Sequence, residues 1–237
     1  MARGSRRAYH TGLSRGVIVD AALALTAERG LDGWSMRDLT GRLDTSLSVI
    51  YHHVGDRERL RAAVVDRIYA EMDLDIDETD WRTALYSVLS AMIDHLSGYR
   101  GVATWLLHNG PQTEQLVPVL ETGMRLMLEA GWGEESAPAH SMAFNTCLGL
   151  IALGDRQPGD TAEPGLSGLR SLLESHPAAG PGAEQMGRMA ARFEGDAAET
   201  AAVRREYCRY ALDRILDGLE VRLDTIRERA TQAPRTR

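Results

Sequence analysis

The chain has 237 residues, enough for one large domain or two modest ones with a buried apolar core. Helix-forming residues dominate, only two Phe occur, and no apolar run reaches the roughly 18 residues of a membrane span. These features predict an all-α protein with no membrane partner. The net charge of −7 is uneven, because residues 1–61 carry ten Arg against seven acidic residues, and a basic end on an acidic chain favours contact of that end with phosphates.

Residues 1–12 are basic and lack the apolar core of a signal peptide, so we expect them to form a flexible arm. A first helix is predicted over residues 14–29, because Ser14 is a favourable N-cap and Gly30 supplies a left-handed residue at the end. Its inward positions recur at helical spacing: Ile18, Ala21, Ala22 and Leu25.

Residues 35–54 are predicted to form two short helices around a tight turn. Ser35 is a good N-cap for the first of them, and Asp38 completes a capping-box-like pair. The inner face of this helix carries two leucines one turn apart: Leu39 and Leu43. Asp44 stands where the chain must turn, and Asp tolerates left-handed geometry better than most residues do.

The second short helix begins near Ser46 and turns an apolar face inward: Val49, Ile50 and Val54. The side chains left outside form a small polar face: Ser46, Ser48, Tyr51, His52 and His53. A short helix, a turn and a second helix with hydrogen-bonding side chains are typical of a helix-turn-helix motif. With the flanking helices, this motif predicts a three-helix helix-turn-helix DNA-binding domain over residues 13–72.

An acidic stretch, residues 73–80, is the expected joint between this head and a helical body over residues 73–230. Helices are predicted over residues 81–97, 102–108, 114–130, 135–153, 166–175, 186–193 and 197–229. Gly and Pro are concentrated in residues 154–183, so this segment is expected to be mobile. Residues 231–237 are expected to form a flexible tail.

Several body helices carry apolar stripes. The last helix has one at Cys208, Leu212, Ile215, Leu219, Leu223 and Ile226. The helix from residue 135 has one at Ala139, Met142, Ala143, Thr146, Cys147 and Leu150. The helix over 114–130 has one at Leu116, Val117, Leu120, Met124, Met127 and Leu128. A twofold homodimer would bury the first two stripes, although packing of both within one subunit is the alternative.

The head resembles the TetR family of one-component bacterial repressors. The matching text is IVDAALALTAERGLDGWSMRDLTGRLDTSLSVIYHHVGDRERLRAAVVDRI, residues 18–68. The family pattern appears at Gly30, Ser35, Leu43-Asp44-Thr45-Ser46, Ile50-Tyr51-His52-His53 and Arg57. Two positions depart from it: Asp44 replaces the usual turn Gly and places an acid near the DNA face, whereas Arg57 replaces the common Lys and keeps a phosphate contact.

The predicted DNA contacts divide into two groups. Base contacts in the major groove are assigned to Ser46, Leu47, Ser48 and His52. Contacts that mostly meet phosphates are assigned to Ser35, Arg37, Tyr51, His53 and Arg57. Two alternatives stay open: His53 packs inward against the first helix, and Leu47 either contacts a thymine methyl group or fills a gap.

The body resembles the tetracycline-repressor branch of the same family, which implies a C-terminal helical ligand-binding and dimerisation domain. The similar stretches are residues 81–82, 99–101, 111–114 and 126–131. The metal-ligand His of that branch aligns with Leu106, which cannot bind a cation, and His108 would need a shifted register. No metal and no cofactor are therefore expected.

A cavity between body helices would suit a small hydrophobic effector. The candidate contacts combine aromatic, soft and polar groups: Met92, His95, Tyr99, Trp105, His108, Asn109, Met124 and Phe144. The alternative is that these residues form an ordinary core.

No nucleophile elbow, P-loop or dinucleotide-binding motif occurs in the required context, so no catalytic residue is assigned and no enzyme is expected. The two Cys suit a reducing cytoplasm, where we expect the protein to act. The sequence predicts a homodimeric transcriptional repressor that binds double-stranded palindromic operator DNA and is released by a small-molecule effector. The alternative is a helical adaptor without operator-specific DNA binding.

Overall fold

The computed structural model describes residues 12–72, 74, 76, 79–111, 113–155, 165–176 and 180–232. The predicted arm up to residue 11, part of the acidic joint, part of the 154–183 segment and tail residues 233–237 lie outside the described residues. Within the described residues all regular structure is helical, in eleven α-helices and one 3-10 turn. The all-α prediction is therefore confirmed.

The chain divides into two compact units, Met1–Glu71 and Met72–Arg237. The first unit contains α1 (Arg15–Arg29), α2 (Met36–Leu43), α3 (Leu47–Val54) and α4 (Arg57–Ala70). The second contains α5 (Trp81–Leu96), α6 (Val102–Asn109), α7 (Leu116–Ala130), a 3-10 turn (Gly133–Glu135), α8 (Ser136–Ala152), α9 (Gly165–Glu174), α10 (Pro181–Ala191) and α11 (Ala197–Gln232). No helix in the described part of the chain is both long and apolar enough to cross a membrane.

The core of the first unit forms where α1 packs against α2, α3 and α4. Its inner face is close to the predicted stripe, but Val19 is buried while Ala21 is only half-buried. A buried hydrogen-bonded chain crosses this core, since the Trp34 indole N–H donates to Thr26 Oγ1 (2.9 Å) and that hydroxyl donates to the Ala22 carbonyl (2.9 Å). The buried polar groups of Trp34 and Thr26 are thereby hydrogen-bonded, and these bonds hold the loop before α2 against α1.

The core of the second unit forms where α8 packs against α6 and where α11 packs against α5 and α8. In α11 the predicted stripe needs correction, because Leu216 is buried whereas Ile215 and Ile226 are half-buried. The buried side chains of α11 follow one another at steps of four, four, three and four residues, which keeps them on one face of the helix: Cys208, Leu212, Leu216, Leu219 and Leu223.

The prediction for α7 is also wrong in part. Only Leu126 and Met127 are buried, while Val117 is 63% exposed and Leu128 is 56% exposed. Apolar periodicity gives the direction of a helix face but not whether another element covers it, and the buried side chains of α7 lie near its carboxyl-terminal end.

Candidate nucleic-acid interface and effector site

The loop before α2 is fixed by a capping box at Ser35 and Asp38, as the sequence predicts. The Asp38 N–H donates to Ser35 Oγ (3.2 Å), and the Ser35 N–H donates to the Asp38 carboxylate (2.7 Å). Hydrogen bonds from Ser35, and then from Arg29, lower the pKa of Asp38 to about 2. The carboxylate therefore stays ionised at neutral pH and holds the start of the helix.

Asp44 forms the turn between α2 and α3. Its φ of 46° and ψ of 49° are left-handed, and its backbone N–H donates to the Thr40 carbonyl. Among the described residues it is the one non-glycine residue with positive φ. The predicted left-handed turn is thus confirmed, and it is made by a residue that adopts this geometry less readily than Gly.

The recognition helix α3 is anchored through one face. Ile50 and Val54 are buried, and α3 contacts α1, α2 and α4. Val49, which was predicted to face inward, is half-buried. Two buried aliphatic side chains one turn apart fix the rotation of this short helix, so the direction of its outer side chains is set as well.

All nine predicted DNA contacts are exposed: Ser35, Arg37, Ser46, Leu47, Ser48, Tyr51, His52, His53 and Arg57. The alternative that His53 packs inward is wrong, because its side chain is exposed with its ring 5.6 Å from that of His52. Leu47 is 36% exposed, so it does not fill an internal gap of the first unit. Ser46 Oγ lies 3.0 Å from Ser48 Oγ, which places two hydroxyls side by side.

The arginines of the first unit differ in whether an acidic residue neutralises them. Arg29 pairs with Asp38 (3.0 Å) and Arg42 pairs with Glu28 (2.6 Å). Within the described residues, Arg37 and Arg57 have no carboxylate partner, and Arg57 donates to the Trp34 carbonyl at 3.4 Å. The exposed positive charge of the motif is therefore concentrated near the start of α2 and of α4, where an anionic backbone can reach it.

The predicted effector residues differ widely in burial. Met92 and Trp105 are buried; His95, Tyr99, Met124 and Phe144 are half-buried; His108 and Asn109 are exposed. The structure brings His95 and Tyr99 together, with ring centroids 5.3 Å apart.

The two polar residues at the end of α6 bind their own helix. Asn109 donates to the Trp105 carbonyl (2.8 Å), and His108 Nδ1 lies 2.7 Å from the Thr104 carbonyl. Each of these side chains reaches the carbonyl four residues before its own position, about one helical turn back.

Sequence reasoning named Trp105 but missed two other groups in the body, His140 and Asp155. The Trp105 indole nitrogen is buried without a hydrogen-bond partner among the described residues. His140 stacks on Phe144 with centroids 6.2 Å apart, and burial lowers the pKa of this imidazole. Asp155 contacts the first turn of α6 and carries no sequence signal, because it lies in the Gly- and Pro-rich segment.

Cys147, a cysteine of α8, is buried. Burial, with a smaller effect of Cys208, raises the pKa of the Cys147 thiol to about 12, so the reactive thiolate is disfavoured. In the part of the chain that the structure describes, no three His, Cys, Asp or Glu side chains are grouped to hold a metal ion.

The comparisons with known proteins agree with this geometry. Residues 18–64 match the model of the bacterial regulatory proteins of the tetR family. The tetracycline repressor protein class D of Escherichia coli is 31% identical over 177 residues, which cover 69% of this chain and 81% of that protein. The chain belongs to the TetR family of transcriptional regulators.

Solved structures of other members share the TetR fold. ActR of Streptomyces coelicolor in complex with actinorhodin has a TM-score of 0.67 and 22% identity, with 90% of this chain and 99% of that chain covered. BioQ with its double-stranded DNA operator has a TM-score of 0.54 and 22% identity, with 70% and 99% covered. Both comparisons support the arrangement of an amino-terminal helix-turn-helix followed by a helical domain.

Proposed function

We propose that this TetR-family regulator is a cytoplasmic homodimeric repressor that binds a palindromic operator and is released by a small apolar effector. The observation that carries the proposal is the outer face of α3, which presents hydroxyl, imidazole and phenol groups, together with Arg37 and Arg57, which have no carboxylate partner among the described residues. A helix packed through Ile50 and Val54 holds that face rigidly enough to enter a major groove.

In this proposal the residues divide by chemistry. The hydroxyls of Ser46 and Ser48 donate to and accept from base edges, and His52 extends the same face. Arg37 and Arg57 contact phosphates, which fix the register of the motif without reading sequence. Release of counterions from the DNA makes binding strongly dependent on salt.

Homodimerisation is supported by the outer faces of α8 and α11. These two helices pack on each other, yet Met142 of α8 is 50% exposed and Leu153, the residue after α8, is 64% exposed. On α11, Tyr210 is 59% exposed and Val221 is 68% exposed, and the two residues are three turns apart. A second copy related by a twofold axis would cover these side chains and hold two recognition helices about 34 Å apart.

Effector response is supported by the interior of the body, where Met92 and Trp105 are buried and the Trp105 indole N–H has no hydrogen-bond partner among the described residues. Two relatives support a small-molecule effector: one is named a tetracycline repressor, and the structure of ActR was solved in complex with actinorhodin. An effector lowers operator affinity only by binding the released state more tightly than the DNA-bound state.

The test is a mobility-shift titration of the full chain with DNA from upstream of its own gene, followed by footprinting. We expect protection of one palindrome by a dimer. Replacing Arg57 by Ala should weaken binding to all sequences similarly and reduce the salt slope by about one phosphate contact. Arg125→Ala, which removes an exposed arginine of α7, is the matched control and should leave binding unchanged.

Two results would contradict the proposal. One is a folded dimer that protects no palindrome, which would favour the helical adaptor. The other is unchanged affinity in a Tyr51→Ala, Arg57→Ala double variant, which would show that another face contacts the DNA.

A further inference from the structure

The amino terminus of α6 has no capping side chain of its own. Its N-cap is Gly101, with φ of 85°, which has no side chain to accept a hydrogen bond from the first N–H groups of the helix. The first N–H groups of a helix have no intrahelical acceptor, so an uncapped start frays unless another group binds it. This matters because α6 carries three of the predicted effector residues: Trp105, His108 and Asn109.

Asp155 supplies the missing cap from the far end of α8. Thr104 Oγ1 donates to Asp155 Oδ2 at 3.0 Å, and the backbone N–H groups of Gly101 and Thr104 also donate to this carboxylate. Burial raises the pKa of Asp155, while these hydrogen bonds and the nearby Arg100 oppose the shift. A carboxylate at this end of α6 also complements the helix dipole.

The segment that carries Asp155 is itself held from the other side. Arg204 of α11 donates to the Leu153 carbonyl at 3.0 Å, and its guanidinium lies 5.9 Å from the Phe193 ring centroid. Gly154 leaves little room, since a Cβ there would lie 3.1 Å from the Ile151 carbonyl oxygen. Asp155 is therefore fixed between α11 and α6.

We infer that Asp155 is a positioning residue of the effector site: its carboxylate fixes the first turns of α6 and thereby the burial of Trp105. The inference rests on the proposed function, in which α6 contacts the effector. Two hydrogen bonds of 3.0 Å, from Thr104 to Asp155 and from Arg204 to the Leu153 carbonyl, connect α6 to α11 through residues 153–155. The hydrogen bond on which the inference depends joins Thr104 and Asp155, which are 51 residues apart in sequence.

The direct test is hydrogen–deuterium exchange of the intact dimer, read in peptides that cover residues 98–110. Asp155→Ala should speed exchange of the first-turn amides of α6 about fivefold or more, which corresponds to the loss of a typical cap. Asp155→Asn keeps an acceptor oxygen and should give a smaller effect. Asp224→Asn, which alters an exposed carboxylate of α11, is the matched control and should change nothing in α6.

A second readout reports the position of Trp105. Its emission is obtained as the difference between each protein and the same protein carrying Trp105→Phe, and it should shift to the red when Asp155→Ala frees α6. Thr104→Val should reproduce part of the exchange effect, and combining it with Asp155→Asn should add less than the sum of the two.

Unchanged exchange of α6 in Asp155→Ala would overturn the inference, because it would show that Asp155 does not cap this helix. Exchange that rises equally in α5, α6 and α8 would also overturn it, because it would indicate general destabilisation. An unchanged Trp105 emission in the presence of faster exchange would also overturn it. A wild-type chain that shifts no operator DNA would contradict the proposed function, whereas the exchange result decides the cap independently.

Discussion

The turn residue Asp44 is predicted to lower both the stability of the first unit and its affinity for DNA. Its left-handed backbone costs free energy, and its negative charge lies near the start of α3. Asp44 has φ of 46° and is exposed, and no side-chain hydrogen bond or ion pair of this residue occurs among the described residues. A non-glycine residue in this geometry costs on the order of 1 kcal/mol. Its carboxylate also lies two residues before Ser46, the N-cap of the recognition helix.

Replacing Asp44 by Gly relieves the backbone cost but increases the entropy of the unfolded chain. The two effects nearly offset, and we expect a net gain of roughly 0.5 kcal/mol for the first unit, which is about 2–4 °C in a domain of this size. Removing the charge should raise operator affinity by up to about fivefold at low salt, with a smaller effect at high salt.

The assay combines thermal unfolding, followed by fluorescence of the buried Trp34, with operator titrations at two salt concentrations. Asp44→Asn separates the effects, since it removes the charge and keeps a side chain that tolerates left-handed geometry. Asp44→Ala should destabilise the unit because Ala lacks that tolerance. A stable Asp44→Ala variant, or an Asp44→Asn variant with wild-type affinity, would refute the reasoning.

Three further predictions concern separate parts of the molecule. Leu47 should read a thymine methyl group, so replacing one thymine in a single half-site by deoxyuridine should weaken binding about fourfold, and Leu47→Ala should abolish that difference. The Asp38 carboxylate has a pKa lowered from 3.8 to about 2, so its contribution to stability is present above pH 4 and is lost as the pH falls toward 2. Asp38→Asn should therefore make the unfolding temperature depend less on pH in this range. Val221→Glu should convert the proposed dimer to a monomer in light scattering, since the proposed interface would bury this charge on α11.

Controls for these predictions come from the same chain. Leu107→Ala, which truncates an exposed leucine of α6, should leave the response to deoxyuridine intact. Leu128→Glu places the same charge on the exposed face of α7 and should leave the dimer unchanged. A Val221→Glu protein that remains dimeric would contradict the proposed interface. A Leu47→Ala protein that still loses affinity at the deoxyuridine site would contradict the methyl contact. An Asp38→Asn protein with the wild-type pH profile would contradict the role of the Asp38 carboxylate.

The sequence by itself determined the local features of the head. The capping box of Ser35 and Asp38, the turn at Asp44 and the helix end at Gly30 all depend on groups within a few residues of one another. Such short-range hydrogen bonds and φ preferences are properties of the local chain, so they can be predicted without knowing the fold. The exposed side of α3 was likewise predicted from the helical spacing of its apolar residues Ile50 and Val54.

Only the tertiary structure decided which faces of the body helices are covered and which residues meet across them. The stripe of α7 is largely exposed, Leu216 replaces Ile215 in the core, and Asp155 caps a helix whose own N-cap is Gly101. Hydrophobic periodicity records the direction of each face but not the neighbour that buries it. A cap supplied from a residue 51 positions away depends on how α6 and α8 pack, and no local pattern encodes that contact.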